Sequence, residues 1–240
     1  FYLDLLWFQE VEIESVLWTQ NLAQWGVRIG AFLFLFAFLF INLLITRKHV
    51  LRLPNLLLRE QLMATGAIQF FTPRRLTLIF LGSSALLAFL FSAYTSGYWM
   101  DILRFFNATD FNIADPIFNA DVSFYVFALP FYRFIYSFAM MALVTTLILT
   151  SVIYFLINPF TKSVQALNVS FAGLGHITAL LAAIFGLKAW DYRLQQMELV
   201  LSGQGRVFGA GYTDVNANYP VLYVLMILAA VIAVVFFINI

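Results

Sequence analysis

The 240 residues are 63% hydrophobic and only 10% charged, with a net charge of +1, no cysteine, and a mean hydropathy of +0.91. Soluble domains keep about a quarter of their residues charged, so lipid must form part of the solvent here. The near-neutral balance gives no case for a nucleic-acid partner. Without cysteine, disulfides, thiolate metal sites and cysteine nucleophiles are excluded within these residues.

The sequence opens on Phe1-Tyr2-Leu3 and stops at Ile240 inside an apolar run. Both ends read as cuts through a longer polypeptide, with Phe1 to Phe8 as the outer end of a preceding spanning helix. No cleavable signal peptide is identifiable. A span needs about 20 apolar residues. Five uncharged gaps meet that need: Ile29–Thr46, Leu76–Met100, Phe134–Thr161, Ser163–Leu187 and Val215–Ile240. The expected architecture is an all-α polytopic bundle with five spans, at 24–46, 76–99, 134–160, 165–188 and 218–240, plus short interfacial helices. The first span carries Phe at 32, 34, 36, 38 and 40, but the residues between are also apolar, so the alternation is not that of a barrel strand.

The charges order the loops. Residues 47–75 hold Arg47, Lys48, Arg52, Arg59, Arg74 and Arg75 against Glu60 alone, and Lys162 follows the third span. Acidic residues dominate the N-terminal segment (Asp4, Glu10, Glu12, Glu14) and the 101–133 segment (Asp101, Asp110, Asp115, Asp121). The positive-inside rule places 47–75 in the cytoplasm and 101–133, 189–217 and the N-terminal segment outside. Trp7, Trp18, Trp25, Trp99 and Trp190 fall at the outer boundaries, where an aromatic belt belongs.

Small residues mark helix faces that can approach closely. They recur at Ser84, Ala88 and Ser92 in the second span and at Ala142, Thr146 and Thr150 in the third. The fourth has Ala172, Gly175, Ala179, Ala182, Ala183 and Gly186. The second and fourth spans are therefore expected at the centre of the bundle. The first, rich in Phe and Leu, is expected at its periphery.

The basic loop suggests an interfacial helix from Pro54 and Asn55 through Leu56, Leu57, Leu58, Leu62 and Met63, lying against anionic headgroups. His49 reinforces the charge of that loop. In the 101–133 segment, Ile102, Leu103, Phe105 and Phe106 suggest a second short interfacial helix, and Pro130 suits the first turn of the third span. Asp110, Asn112, Asp115, Asn119 and Asp121 are candidate oxygen ligands for calcium. They lack the EF-hand spacing, however, and Asx residues also satisfy turn backbone by themselves. Beyond the fourth span, Lys188, Asp191 and Arg193 extend the helix outward, with Lys188 and Asp191 paired at i, i+3. Gly203, Gly205, Gly209 and Gly211 then break it. Gly209-Ala-Gly-Tyr-Thr-Asp214 fits no nucleotide loop. Asn107-Ala-Thr109 matches a glycosylation triplet.

The stretch DPIFNADVSFYVFALPFYR (115–133), the later LKAWDYR (187–193) and VFGAGYTD (207–214), and the opening LWFQE and SVLWTQ resemble uncharacterised protein family 0182. Those are large bacterial and cyanobacterial integral membrane proteins of unknown function. The resemblance runs from about Leu6 to Pro220. It implies about seven spanning helices followed by a large extracytoplasmic domain, so that residues 1–240 lack the first helix, the last helix and that domain. It brings no activity, substrate or catalytic residue.

Within the five gaps the ionisable residue near mid-span is His176. It reads as a neutral imidazole bonded to a neighbouring helix, as a proton or substrate relay, or as a ligand to a metal or cofactor. Asn42, Ser83, Ser84, Ser92, Thr145, Thr146, Thr150, Ser151, Asn158, Asn168 and Ser170 add neutral polar groups. No catalytic constellation is present, and no cofactor is expected. The expected role is a multi-pass inner-membrane anchor or scaffold for an extracytoplasmic domain, or a subunit of a membrane complex. Its partners would be membrane lipids and other membrane-protein subunits. A transporter or channel subunit is the alternative; an active site beyond these residues is a third possibility.

Overall fold

The structure is a computed structural model that describes residues 2–52, 60, 63–64, 72–157, 171–203 and 209–240. Its helices are α1 (Tyr2–Glu10), α2 (Glu14–Arg52), α3 (Pro73–Thr95), α4 (Trp99–Phe106), α5 (Leu129–Ile157), α6 (Phe171–Glu198) and α7 (Tyr219–Ile238). Among the described residues there is no strand, and one antiparallel bridge joins Ala114 and Asp121. Five helical stretches are long and apolar enough to cross a membrane: Glu14–Lys48, Pro73–Phe106, Phe124–Phe155, Gly173–Leu201 and Asp214–Ile238. The expected interfacial helix through Pro54, Leu58 and Leu62 lies outside the described residues. So do Lys162, Asn158, Asn168, Ser170, Gly205 and the His49 side chain.

Helices α2 and α3 form an antiparallel hairpin. Leu43 and Val50 near the end of α2 meet Leu76 and Phe80 at the start of α3, and Leu35 meets Ala88. Helix α5 completes a three-helix unit, with Ala142 and Phe138 against that mid-level contact and Leu149 and Ile153 near Leu43. Helix α6 packs on α5 and α7 packs on α6. The described residues of 96–123, 199–203 and 209–218 therefore gather at one end of the bundle. Arg47, Arg74 and Arg75 stand at the other. From Arg28 to Arg47 is 19 residues of unbroken helix, or about 28 Å, close to the roughly 30 Å of a bilayer's hydrocarbon.

The packing corrects one expectation. Helix α2 is central, not peripheral: it contacts α3, α4 and α5, and Leu35 and Leu39 are 1% exposed. Leucines at four-residue spacing (35, 39, 43) supply its inner face, and the intervening phenylalanines flank it. Ser84, Ala88 and Ser92 of α3 and Ala142, Thr146 and Thr150 of α5 are buried as their small stripes require. The α6 stripe is buried only in part. A side chain on Gly175 would come within 3.1 Å of the Ile240 carbonyl, whereas Ala183 and Gly186 are exposed.

Pro130 is not in a first turn. Helix begins at Val122, and a π-helical stretch, Phe124–Ala128, runs into Leu129. The Leu129 N–H donates to the Phe124 carbonyl, five residues back. The wider turn relieves the clash that a proline ring makes with the carbonyl four residues earlier. The same device precedes Pro220, where π-helical Asp214–Asn218 ends with the Tyr219 N–H on the Asp214 carbonyl.

Candidate functional site

Polar groups concentrate in two places, one at the loop end of the bundle and one inside it. The loop end is organised by acidic side chains. Asp115 is 5% exposed. Its Oδ1 accepts the N–H groups of Ile117 and Phe118, both at 2.8 Å, and its Oδ2 accepts the Ala120 N–H at 3.0 Å and the Tyr125 O–H at 2.9 Å. Asp121 Oδ1 accepts the N–H groups of Phe111 (3.1 Å) and Ser123 (2.8 Å). Asn112 and Asn119 adopt positive φ, 56° and 54°, which asparagine tolerates better than most residues. Burial pushes the Asp115 carboxyl up, but the three backbone donors and Tyr125 outweigh it and hold the group below the usual carboxylate range. Bonds from Ser123 bring Asp121 down to about 2.

Of the calcium candidates, the structure thus commits Asp115 and Asp121 to turn backbone. Asp110 Oδ1 lies 3.5 Å from the Ser123 hydroxyl, and Asn112 is exposed. Among the described residues no group of three or more His, Asp or Glu is disposed to hold a metal.

Beside this turn, α6 runs past Lys188 to Glu198, and Lys188, Asp191 and Glu198 meet α5. Arg133 forks onto both carboxylate oxygens of Glu198 and also pairs with Asp191. Asp191 Oδ2 accepts Lys188 Nζ at 2.7 Å and Gln195 Nε2 at 2.9 Å. Lys188 Nζ also donates to the Tyr136 hydroxyl at 3.3 Å. Asp191 is 3% exposed, and such a carboxylate persists only when paired. Tyr125, Leu129, Leu194 and Trp190 pack beneath the network, tying the 107–123 loop to α5 and α6. Past α6, Gly209 takes φ +123°, a conformation open to glycine, and its N–H donates to the Ser202 carbonyl at 2.8 Å.

The second centre is His176, which joins three helices. Asn42 Nδ2 donates to the Phe38 carbonyl of its own helix at 2.7 Å, which turns Asn42 Oδ1 toward the imidazole. That oxygen can only accept, so His176 Nε2 carries the proton and donates across 3.0 Å. Nδ1 lies 3.1 Å from the Tyr154 hydroxyl, whose O–H it accepts in the neutral ring. Thr46 adjoins the Tyr154 hydroxyl, and the Tyr154 ring lies 3.3 Å from where a Cβ on Gly173 would stand. Asn42 belongs to α2, Tyr154 to α5 and His176 to α6. Sequence reasoning found His176 but not its partners, because 134 and 22 residues separate them from it and no local periodicity links them. Thr146 and Thr150 bond within their own helix, to the Ala142 and Thr146 carbonyls.

An all-helical bundle with five membrane-length helices, held at one end by an ionic network around the buried Asp191, defines the class. The whole chain, residues 1–240, matches the uncharacterised protein family UPF0182, and the chain belongs to that family. It is 38% identical over 225 residues to a UPF0182 protein of Moorella thermoacetica, covering 92% of this chain and 24% of that relative. For UPF0182 proteins of Desulforamulus reducens and Trichodesmium erythraeum the identities are 33% over 262 and 33% over 231 residues. These cover 100% and 95% of this chain, and 27% and 24% of the relatives. The chain thus spans about a quarter of the length of the curated relatives it matches. No solved structure matches it.

Proposed function

We propose that this bundle is a membrane anchor that holds the remainder of a longer protein at the membrane surface through its loop end. The observation that carries the reading is the junction of Arg133, Asp191, Glu198 and Lys188 with the Asp115–Tyr125 turn. It joins the 107–123 loop to the ends of α5 and α6 and makes a firm platform. His176, with both ring nitrogens bonded, fits a clamp between helices, since buried polar contacts of this kind fasten membrane helices. The acidic loops would lie outside and the basic end in the cytoplasm.

The transport alternative rests on His176, an ionisable group inside the bundle, level with Asn42 five residues short of Arg47 and so on the basic side of mid-span. Proteoliposomes of the full-length protein distinguish the two by proton and solute flux. The anchor reading expects flux no greater than in empty vesicles. It also expects His176→Ala to lower thermal stability by about 1–2 kcal/mol, the scale of two lost interhelical hydrogen bonds. Flux carried by the wild type and abolished by His176→Ala would overturn it.

A further inference from the structure

The lipid-facing side of α6 and α7 holds a groove of about 590 Å³, lined by Ala189, Trp190 and Arg193 of α6 and by α7 from Met226 to Val235. The nine-residue rise from Met226 to Val235 is about 13 Å, near half the hydrocarbon thickness, so the groove is one leaflet deep. Its walls are apolar apart from Arg193, whose stem lines one end. The guanidinium continues toward the loop end, donating to Gln196 Oε1 at 2.9 Å and lying 5.4 Å from the Phe118 ring centroid. This is the snorkelling posture of a cation at a headgroup boundary. Trp190 beside it is the residue type that marks that boundary. Arg133 and Lys188 each pair with carboxylates. Among the described residues Arg193 has no carboxylate within 4.0 Å.

We propose that this groove is a binding site for an anionic phospholipid, with one acyl chain between α6 and α7 and the headgroup phosphate on Arg193. A transmembrane helix is a poorer occupant. A helix presents apolar side chains and backbone already bonded within itself, so it would leave Arg193 without an anion. An acyl chain fits, and an anionic headgroup complements a guanidinium that holds Gln196 and Phe118 but no carboxylate. The inference does not depend on the anchor reading.

The test uses the full-length protein carrying Ala230→p-benzoylphenylalanine, in nanodiscs of equal parts phosphatidylcholine and phosphatidylglycerol. Illumination is expected to add the mass of one phospholipid. Phosphatidylglycerol should be favoured about fivefold, the factor for one basic side chain at an anionic membrane surface. Arg193→Gln should abolish the preference, while Arg193→Lys and Arg28→Gln should keep it. Equal capture of both lipids would overturn the site, as would a preference that survives Arg193→Gln in protein with a wild-type melting profile. Crosslinking to polypeptide would show that a protein segment covers the groove and would overturn it equally.

Discussion

Tyr125 and Asp115 show how single side chains fix the loop end. The phenol gives its proton to a buried carboxylate that already receives three backbone N–H groups. Hydrogen bonds to charged groups contribute about 1.5–3 kcal/mol, so Tyr125→Phe should lower thermal stability on that scale. The loop should also respond to acid. Asp115 and Asp121 both have folded-state pKa values below the ordinary carboxylate value. Their stabilisation is therefore complete above about pH 4. It is lost as pH falls through the folded values, about 2 for Asp121. Proteolysis of residues 107–123 by an acid protease should accelerate between pH 4 and 2, and an onset near pH 6 would contradict the assignment. The Asx-rich composition announced turns here. It did not announce Tyr125 as a partner, because that bond depends on how the turn folds back on α5.

Among the elements, composition revealed which faces of α3 and α5 are buried but misplaced α2. Small residues betray close approach directly, whereas leucine and phenylalanine suit lipid and protein neighbours alike. The contacts of Leu35 with Ala88 and Ala142, and of Leu43 with Leu76 and Phe80, identify the inner face of α2. The consequence is testable by size. Ala88→Leu should force α2, α3 and α5 apart and cost about 1–3 kcal/mol, read as a lower melting temperature in detergent. Ala183→Leu, on an exposed part of α6, should change stability by less than about 0.5 kcal/mol. Equal losses for the two would mean that the interface is elsewhere. The π-helical stretches before Pro130 and Pro220 were not legible either. The prolines were visible, but how a helix accommodates one depends on the turn that precedes it.

At the scale of the whole molecule, the number of long apolar helices followed from the uncharged gaps alone, since an uncharged run of that length has few other homes. The family was legible in the 115–133 and 207–214 blocks. The outward continuation of α6 was legible in Lys188, Asp191 and Arg193; what charge spacing could not convey is that Asp191 and Glu198 meet Arg133, because two oppositely charged helix ends stabilise each other only once they are side by side. The account rests on the two ends of the bundle lying on opposite faces of a membrane. These 240 residues contain no cysteine, so single cysteines can report sidedness in a full-length protein freed of any others. Asn112→Cys should react with a membrane-impermeant maleimide on intact cells. Arg74→Cys should react only after permeabilisation. Labelling of both from the same side of an intact membrane would contradict the account.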